Sequence, residues 1–514
     1  MDDPASSIME ASSSPATSLA TSEPSSDGCR LRTLPPELVD TILCHLSPYD
    51  VASVSATCHA LRKHALSDVI WHALVQENVP GVTLTSPAPC ASYYELYAAH
   101  HLVWFLPRYK IWFCDRELMG KLIVVRYDPR RGCIEGYQLL AGRNRTTYQH
   151  WAAHSQVVIH GFEPRVALHL DKPVVQFRIR PTRNDGGFSK RPGANRFADE
   201  IPMELDDRLG AMFSNFLLAR PLDPDVADAK LATGYPYGNV WPPPAVPARH
   251  HVSGGFEGRD RIALNSKDRP QQRSEVSDQT FRIRHWLEMA GSPAAPGIAL
   301  APPGSFSGVR HVLRGMQFEN ALAGGIGTTG GMAGIHLGEE VISYSTIDPA
   351  IYTPTALKPW RGIWVGDYSG HGCEFLLIHQ PDDLPATDAE LGLERDNIET
   401  DAEWEARRTD ARIYRGRLEA IKLTGDPNVP RGEHTFIVED LGPEGYVGDA
   451  TDPPFMGARV VKSRGHVAET DFVGEKFIDS QLLLINHDRL AQYWVGFGHI
   501  SFFERVDIDA VLRP

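Results

Sequence analysis

Apolar residues recur every three or four positions through residues 31–80, and after residue 100 they begin to alternate. A helical head followed by a strand-rich body is the reading this change of period supports. In "LPPELVDTILCHL", Leu38, Ile42, Leu43 and Leu46 fall at helical spacing behind Pro36, which suits a first helical turn. "SPYD" offers Ser47 as an N-cap, Pro48 at the first position and Asp50 three residues on, opening a second helix. Asp68 caps a further short helix bearing Ile70, Trp71, Leu74 and Val75. Some 50 residues of short helix cannot cover their own apolar surface, so Leu34, Leu38, Ile42 and Val51 need another surface against them (about 50 residues is below what a self-sufficient core requires).

Beyond residue 100, "KLIVVRY" and "CIEGYQLL" flank "DPRRG", a loop of hairpin length. "VVQFRIR" places Val175, Phe177 and Ile179 on one face and Gln176, Arg178 and Arg180 on the other. Strand signals then stop. Residues 183–357 are mostly Gly, Pro and Ser-rich, as in "VWPPPAVPARHH". Two islands there read as helices, "ELDDRLGAMFSNFLLA" and "DQTFRIRHWLEMAG". Strands resume at "RGIWVGDYSGHGCEFLLIHQ" and run to "HISFFERV", interrupted by an acidic stretch at 386–410 that reads as a solvated helix or loop.

The expected fold is therefore α+β, with a helical N-terminal domain before a mainly antiparallel β-barrel that a long loop-rich insert with a few helices interrupts. Closure of the barrel removes the edges that so many strands otherwise expose. The boundaries expected are a disordered tail at 1–30, the helical head at 31–80, the first half of the barrel at 81–182, the insert at 183–357 and the second half at 358–514.

Composition narrows the function by exclusion. The 514 residues carry a net charge of −14, which argues against a surface that tracks nucleic-acid phosphates. No apolar run is long enough to span a bilayer, and the acidic, Ser-rich start lacks the features of a targeting peptide. The seven cysteines include no CxxC pair, which suits a reducing compartment, the cytosol or nucleus. Neither a metal nor a cofactor is expected: the 21 histidines show no ligand spacing, and the formal GxGxxG at Gly325–Gly330 lacks the strand before it and helix after it that a dinucleotide loop needs. His371 and Cys373 share a strand face as a possible base and nucleophile, but no third group is nominated to orient them.

"KLTGDPNVPRG", Lys422 to Gly432, is a tight corner with opposite charges at Lys422 and Asp426. Asp426 either caps its own turn or meets a ligand, and the two roles are compatible.

Residues 34–71 resemble an F-box. The likeness rests on Leu34-Pro35, Glu37-Leu38, Ile42-Leu43, Leu46, Asp50-Val51, Val54, Cys58, Leu61-Arg62 and Ile70-Trp71. The resemblance implies a helical hook that inserts into a Skp-type adaptor and through it joins a cullin–RING ubiquitin ligase, with Leu34, Pro35, Leu38, Ile42, Leu46, Val51, Leu61 and Trp71 as adaptor contacts. The body resembles the F-box-only proteins related to the animal receptor for D-type cyclins, through "KPWRGIWVGDYSGHGCEFLL", "IKLTGDPNVPRG" and "FIDSQLLLINHDRLAQYWVGFGHISFFERV". That resemblance implies a barrel whose mouth captures the C-terminal tail of a client protein. Carried over, Lys422, Asp426, Asn428, Tyr368, His371 and Trp364 become client contacts, Lys422 toward a terminal carboxylate or Asp426 toward a terminal amide. The animal members' Cys/His zinc ligands have no counterpart, since no cysteine lies between Cys133 and Cys373. A similar C-terminal block occurs in plant Executer-type proteins, so the F-box is what points to ubiquitin chemistry. The reading is a non-catalytic substrate receptor of an SCF-type ligase. The alternatives are an F-box scaffold or sensor that directs no degradation, and a barrel enzyme using His371 and Cys373.

Overall fold

Prolines and a serine cap start the first two helices of the head where the sequence places them. In the computed structural model, residues 34–114, 119–143, 147–179, 200–203, 212–218, 280–289 and 335–513 are described, with 31 and 205 singly. The chain divides into two compact units, Met1–Leu74 and Val75–Pro514.

In the first unit, α1 (Pro36–Leu43), α2 (Pro48–Ser55), α3 (His59–Ala65) and the start of α4 (Asp68–Glu77) follow one another closely. Ser47 caps α2, its Oγ accepting from the Asp50 N–H at 3.2 Å and donating to Asp50 Oδ2 at 2.7 Å. Asp68 is the first residue of α4 rather than its cap, and Ser67 before it accepts from the Val69 N–H. His64 of α3 meets Asp40 of α1 at 2.8 Å, and the Trp71 indole donates to the Ala65 carbonyl at 2.6 Å. Val39, Leu43, Val51, Leu61, Ala65, Ile70 and Trp71 form the buried centre. Val51 thus needs no outside cover, contrary to expectation, because α2 turns it inward.

In the second unit, α5 (Tyr93–Ala99) and α6 (Phe105–Tyr109) lead into an eight-stranded antiparallel sheet. Its strands are β1 (Ile111–Cys114), β2 (Leu122–Asp128), β3 (Cys133–Arg143), β6 (Pro164–Arg178), β7 (Glu200–Met203), β8 (Met212–Leu218), β9 (Thr280–Met289) and β10 (Ile335–Thr346), in the order β6-β3-β2-β1-β10-β9-β8-β7. A hairpin of β4 (Tyr148–Trp151) and β5 (His154–His160) leaves this sheet and joins the next.

Two expectations are corrected here. The stretches read as helical islands contain β8 and β9, which pair with each other from Met212↔Leu287 to Leu218↔Phe281. Phe281 and Ile283 are fully buried while Arg282 and Arg284 are not, a period of two inside a segment that also satisfies helical spacing. Phe281 stacks on Tyr344 at 4.9 Å and on Phe216 at 5.1 Å, so tertiary packing decides the conformation. The rest of the insert, including Gly325–Gly330, lies outside the described residues. Residues 81–182 also do not supply half of the closed barrel: their long strands build the first sheet.

The barrel is made within 362–505. After α7 (Pro349–Tyr352) come β11 (Gly362–Asp367), β12 (Cys373–His379), β13 (Leu418–Lys422), β14 (His434–Val438), β15 (Tyr446–Asp449), β16 (Arg459–Glu469), β17 (Val473–Leu484), β18 (Arg489–Trp494) and β19 (His499–Arg505). The order β11-β12-β13-β14-β16-β17-β18-β19 closes through β11–β19 pairing, as at Gly366↔Phe503. The acidic interruption between β12 and β13 forms α8 (Asp401–Ile413), started by a Thr400–Glu403 capping box and burying none of its residues. α9 (Ile508–Leu512) ends the described chain.

Both faces of β11, β12, β13 and β14 are buried almost throughout, which explains their nearly continuous apolar sequences. Ile363, Val365, Phe375, Leu377 and Ile421 face outward into one core shared with Ile111, Phe113, Leu122 and Val124 of the first sheet. Trp364, Leu376, Ile378, Leu418, Ala420, Phe436 and Phe503 fill the barrel itself.

Candidate functional site

The inward faces change character toward one end of the barrel. Inward positions along β12 read Ile378, Leu376, Glu374, and along β13 they read Leu418, Ala420, Lys422, with Leu376 opposite Lys422. The β11–β12 turn, the loop after β13, the β16–β17 hairpin and the β18–β19 turn all lie at this polar end, which forms the mouth.

Lys422 is the centre of the cluster. Its ammonium lies 2.6 Å from Asp426 Oδ2 and 2.8 Å from Glu374 Oε2, and 4.4 Å from the centroid of the Tyr368 ring. Lys422, Glu374 and Asp426 are only 2%, 3% and 4% exposed. The Tyr368 hydroxyl is 2.7 Å from Thr435 Oγ1, and burial pushes its pKa well up. Asp426 also closes its own turn, Oδ1 accepting from the N–H groups of Asn428 at 2.6 Å and Val429 at 2.8 Å. The turn-capping role weighed for Asp426 is thus present, beside an ion pair with Lys422.

The loop carrying Asp426 is held on several sides. The Leu423 N–H donates to the Phe375 carbonyl at 2.8 Å, and the Gly425 N–H to the Met119 carbonyl at 2.9 Å. Gly432 sits at φ +85°, where a side chain is strained, and its N–H returns to the Lys422 carbonyl at 2.7 Å.

Two acids and one base cannot all be charged cheaply in so dry a place. Burial opposes the charge on Asp426, yet Lys422, the Glu374 carboxyl and the Val429 N–H hold its pKa down at about 2. Burial drives Glu374 well above the usual carboxylate range, against the pull of Lys422, and the neighbouring Asp426 charge adds to the rise. Glu374 is therefore the member of the cluster whose charge the site opposes, while Asp426 is the one whose charge it favours.

The remaining expected client contacts separate. Asn428 is half-buried and donates to the Ala468 carbonyl at 3.0 Å. His371 is exposed on a 3-10 turn, Ser369–His371. Trp364 is corrected to a core residue: it is fully buried within the barrel, its indole donating to the Trp360 carbonyl at 3.1 Å. Glu374 was missed as a site residue, although an acid inside "CEFLLIH" is itself a signal, since a charge on an apolar strand needs a partner.

Among the expected adaptor contacts, Leu34, Pro35, Leu38 and Ile42 are exposed, Leu38 by 51%; Leu38 and Ile42 lie four residues apart along one side of α1, and Leu34 and Pro35 just precede it. Leu46 is half-buried. Val51, Leu61 and Trp71 are buried inside the head and support that stripe rather than offer a surface.

The thiol reading of Cys373 weakens. Burial, and then the Asp367 carboxylate, push its pKa up to about 11, the opposite of what a thiolate nucleophile requires. Among the described residues no hydrogen bond joins His371 to Cys373, no disulfide forms, and no group of three His, Cys, Asp or Glu is arranged to hold a metal. Nor is any described helix long and apolar enough to cross a membrane.

An exposed helical stripe in one unit and a closed barrel with a polar mouth in the other are features of an F-box-like head and a β-barrel binding domain. Comparison with protein families agrees: residues 31–77 match the F-box-like domain, and residues 344–510 match the Cyclin D1 binding domain. Together these are the domains of an F-box protein related to the cyclin D1 receptor. Among curated proteins the chain is similar to Protein EXECUTER 2, chloroplastic, of Arabidopsis thaliana, at 25% identity over 160 residues. The match spans 31% of this chain and 22% of that relative.

Proposed function

We propose that this chain is the substrate-recognition subunit of a Skp–cullin–F-box ubiquitin ligase, working in the cytosol or nucleus and without catalytic residues of its own. The observation that carries the reading is the uncovered stripe of Leu34, Leu38 and Ile42 at the start of the head. A Skp-type adaptor covers that stripe and links the chain to a cullin–RING ligase. The barrel mouth holds a client's C-terminal tail, and ubiquitin transfer follows from proximity.

The charge balance at the mouth favours one kind of chain end. Lys422 is already paired with both Asp426 and Glu374, so an incoming carboxylate would be buried without a cation of its own, which is costly. An uncharged polar end, such as a terminal carboxamide, brings two N–H donors and an acceptor without adding a charge to the cluster. The match to a domain whose description names cyclin D1 supports a protein client rather than a small molecule.

The test is two measurements on the full chain. Leu38→Asp should abolish co-purification with a Skp-type adaptor while leaving the thermal melt unchanged. Random octapeptides ending in carboxamide or carboxylate should bind with a preference for the carboxamide, and Asp426→Asn should remove that preference without unfolding the barrel. Equal binding of both ends, or binding to neither, overturns the tail-capture reading.

A further inference from the structure

The rim of the barrel is uneven. β17 pairs with β16 along its length, from Leu484 opposite Arg459 to Val473 opposite Glu469. It pairs with β18 only from Gln481 to Leu484, because β18 ends at Trp494 and turns back into β19. Residues Val473–Asp479 of β17 therefore stand above β18 with one side open. Among the described residues no strand pairs with that side.

The direction of the backbone groups there can be assigned. The Lys462 N–H points away from β17, donating to the Gly445 carbonyl at 2.8 Å. Its cross-strand partner Gln481 therefore turns its own N–H and C=O away from β16. The period of two continues without a shift through Arg464↔Asp479 and His466↔Phe477. Asp479 and Phe477 thus present their N–H and C=O groups to the open side.

The opening is flanked by apolar side chains that solvent otherwise covers. Val473 is 58% exposed, and Phe477 is also exposed on the same strand. Across the gap, the β18–β19 turn exposes Val495 and, by 59%, Phe497. Below lie inward-facing Ser480 and Gln492, which are hydrogen-bonded to each other at 3.2 Å inside the barrel. The other side of the hairpin is fixed to the loop of the charged cluster: Asp471 N–H donates to the Pro427 carbonyl at 2.8 Å, and Asn428 Nδ2 to Ala468. Asp471 and Phe472 at the tip both hold φ near +60°, rare for residues other than glycine and costly unless the surroundings impose it.

We infer that the client's tail enters the mouth through this notch as an added antiparallel or parallel β-strand on the open side of β17, its backbone bonded to Phe477 and Asp479. The occupant is an extended segment of a client polypeptide, because two N–H and two C=O groups at strand spacing match an extended backbone and little else. Apolar side chains at alternate positions of that segment meet Phe477, Val495 and Phe497. The terminal residue then continues inward toward Lys422, Asp426 and Glu374. This inference rests on the tail-capture reading and adds how the tail is held before its end is read. Glu475, Lys476 and Asp479 place charges along the strand, which discourages pairing with another copy of the chain.

The experiment uses the full chain and the tightest binder from the octapeptide library. That peptide is remade with N-methyl groups on its odd backbone nitrogens, and separately on its even ones. An added strand donates from alternate residues, so one methylated set should bind at least tenfold more weakly and the other nearly as the parent. Asp479→Pro, which removes an open-side N–H without touching the β16 ladder, should weaken the parent peptide similarly. Equal affinity of both methylated peptides overturns the inference, as does unchanged binding by a folded Asp479→Pro variant. If carboxamide preference persists in either case, the tail-capture reading survives alone. If no library peptide binds, both fall.

Discussion

Replacing Lys422 by methionine should destabilise the barrel by about 3 kcal/mol at pH 7. The substitution keeps the length of the side chain and removes the cation 2.6 Å from Asp426 and 2.8 Å from Glu374. Removing one partner of a buried ion pair typically costs roughly 3–5 kcal/mol, because the other charge is left stranded. Here the lower end applies, since Asp426 keeps the Asn428 and Val429 N–H donors. The pH dependence provides a sharper check. Asp426 has its pKa lowered from 3.8 to about 2 in the folded protein, so its contribution is present above pH 4 and is lost as pH falls toward 2. Lys422→Met gives up part of that contribution, and its deficit relative to wild type should shrink over the same window. Urea unfolding followed by tryptophan fluorescence reads both, since Trp360 and Trp364 lie inside the barrel. The midpoint should fall with an unchanged slope. Adding Asp426→Asn and Glu374→Gln should recover much of the loss, because the triple variant strands no charge. A deficit under about 1 kcal/mol at pH 7, or one of equal size at pH 3, would refute the buried-pair account.

Three further outcomes are expected. Glu374→Gln alone should gain stability relative to wild type as pH rises above 4.5, because a raised carboxyl pKa means stability lost with rising pH, and glutamine has no proton to lose; pH-dependent urea midpoints check this, and parallel curves would contradict it. Trp364→Ala should cost about 3–5 kcal/mol through the cavity it leaves, so any loss of client binding would follow the melt rather than precede it. Alkylation of Cys373 by iodoacetamide should be slow at pH 7.5 and accelerate only toward pH 11, measured by mass spectrometry of the folded protein.

The helical head was readable because caps and prolines act locally: Ser47 and Asp50 do in the structure what their spacing announces. The stripe of Leu34, Leu38 and Ile42 was readable as a face, whereas the inward turn of Val51 depends on how α2 packs. Around the barrel, the strands were visible but not their sidedness. Ile363, Trp364 and Val365 are all apolar and all buried, so nothing in the order of residues tells which points into the barrel. Trp364 was misplaced for that reason. β8 and β9 were misread because "FRIRHWL" fits both periods, and only the aromatic neighbours from β10 decide between them. Lys422 and Asp426 were found through the shape of their loop. Glu374 is 48 positions upstream of Lys422 in the chain, and only the pairing of β12 with β13 brings the two together.

β1 and β10 are neighbours in the first sheet, yet roughly 220 residues separate the end of one from the start of the other (335 − 114 − 1). A ribosome adding about 5–20 residues per second needs on the order of 10–45 seconds to cover that distance. Throughout that interval β1 lacks β10 beside it, and Leu122 and Val124 of β2 lack the outward-facing barrel residues that cover them in the finished protein. Newly made chains should therefore pass through a prolonged stage in which "LIVVRYD" is open to chaperones. Synonymous codon changes between residues 219 and 334, which leave every side chain as it is, should alter yield through timing alone.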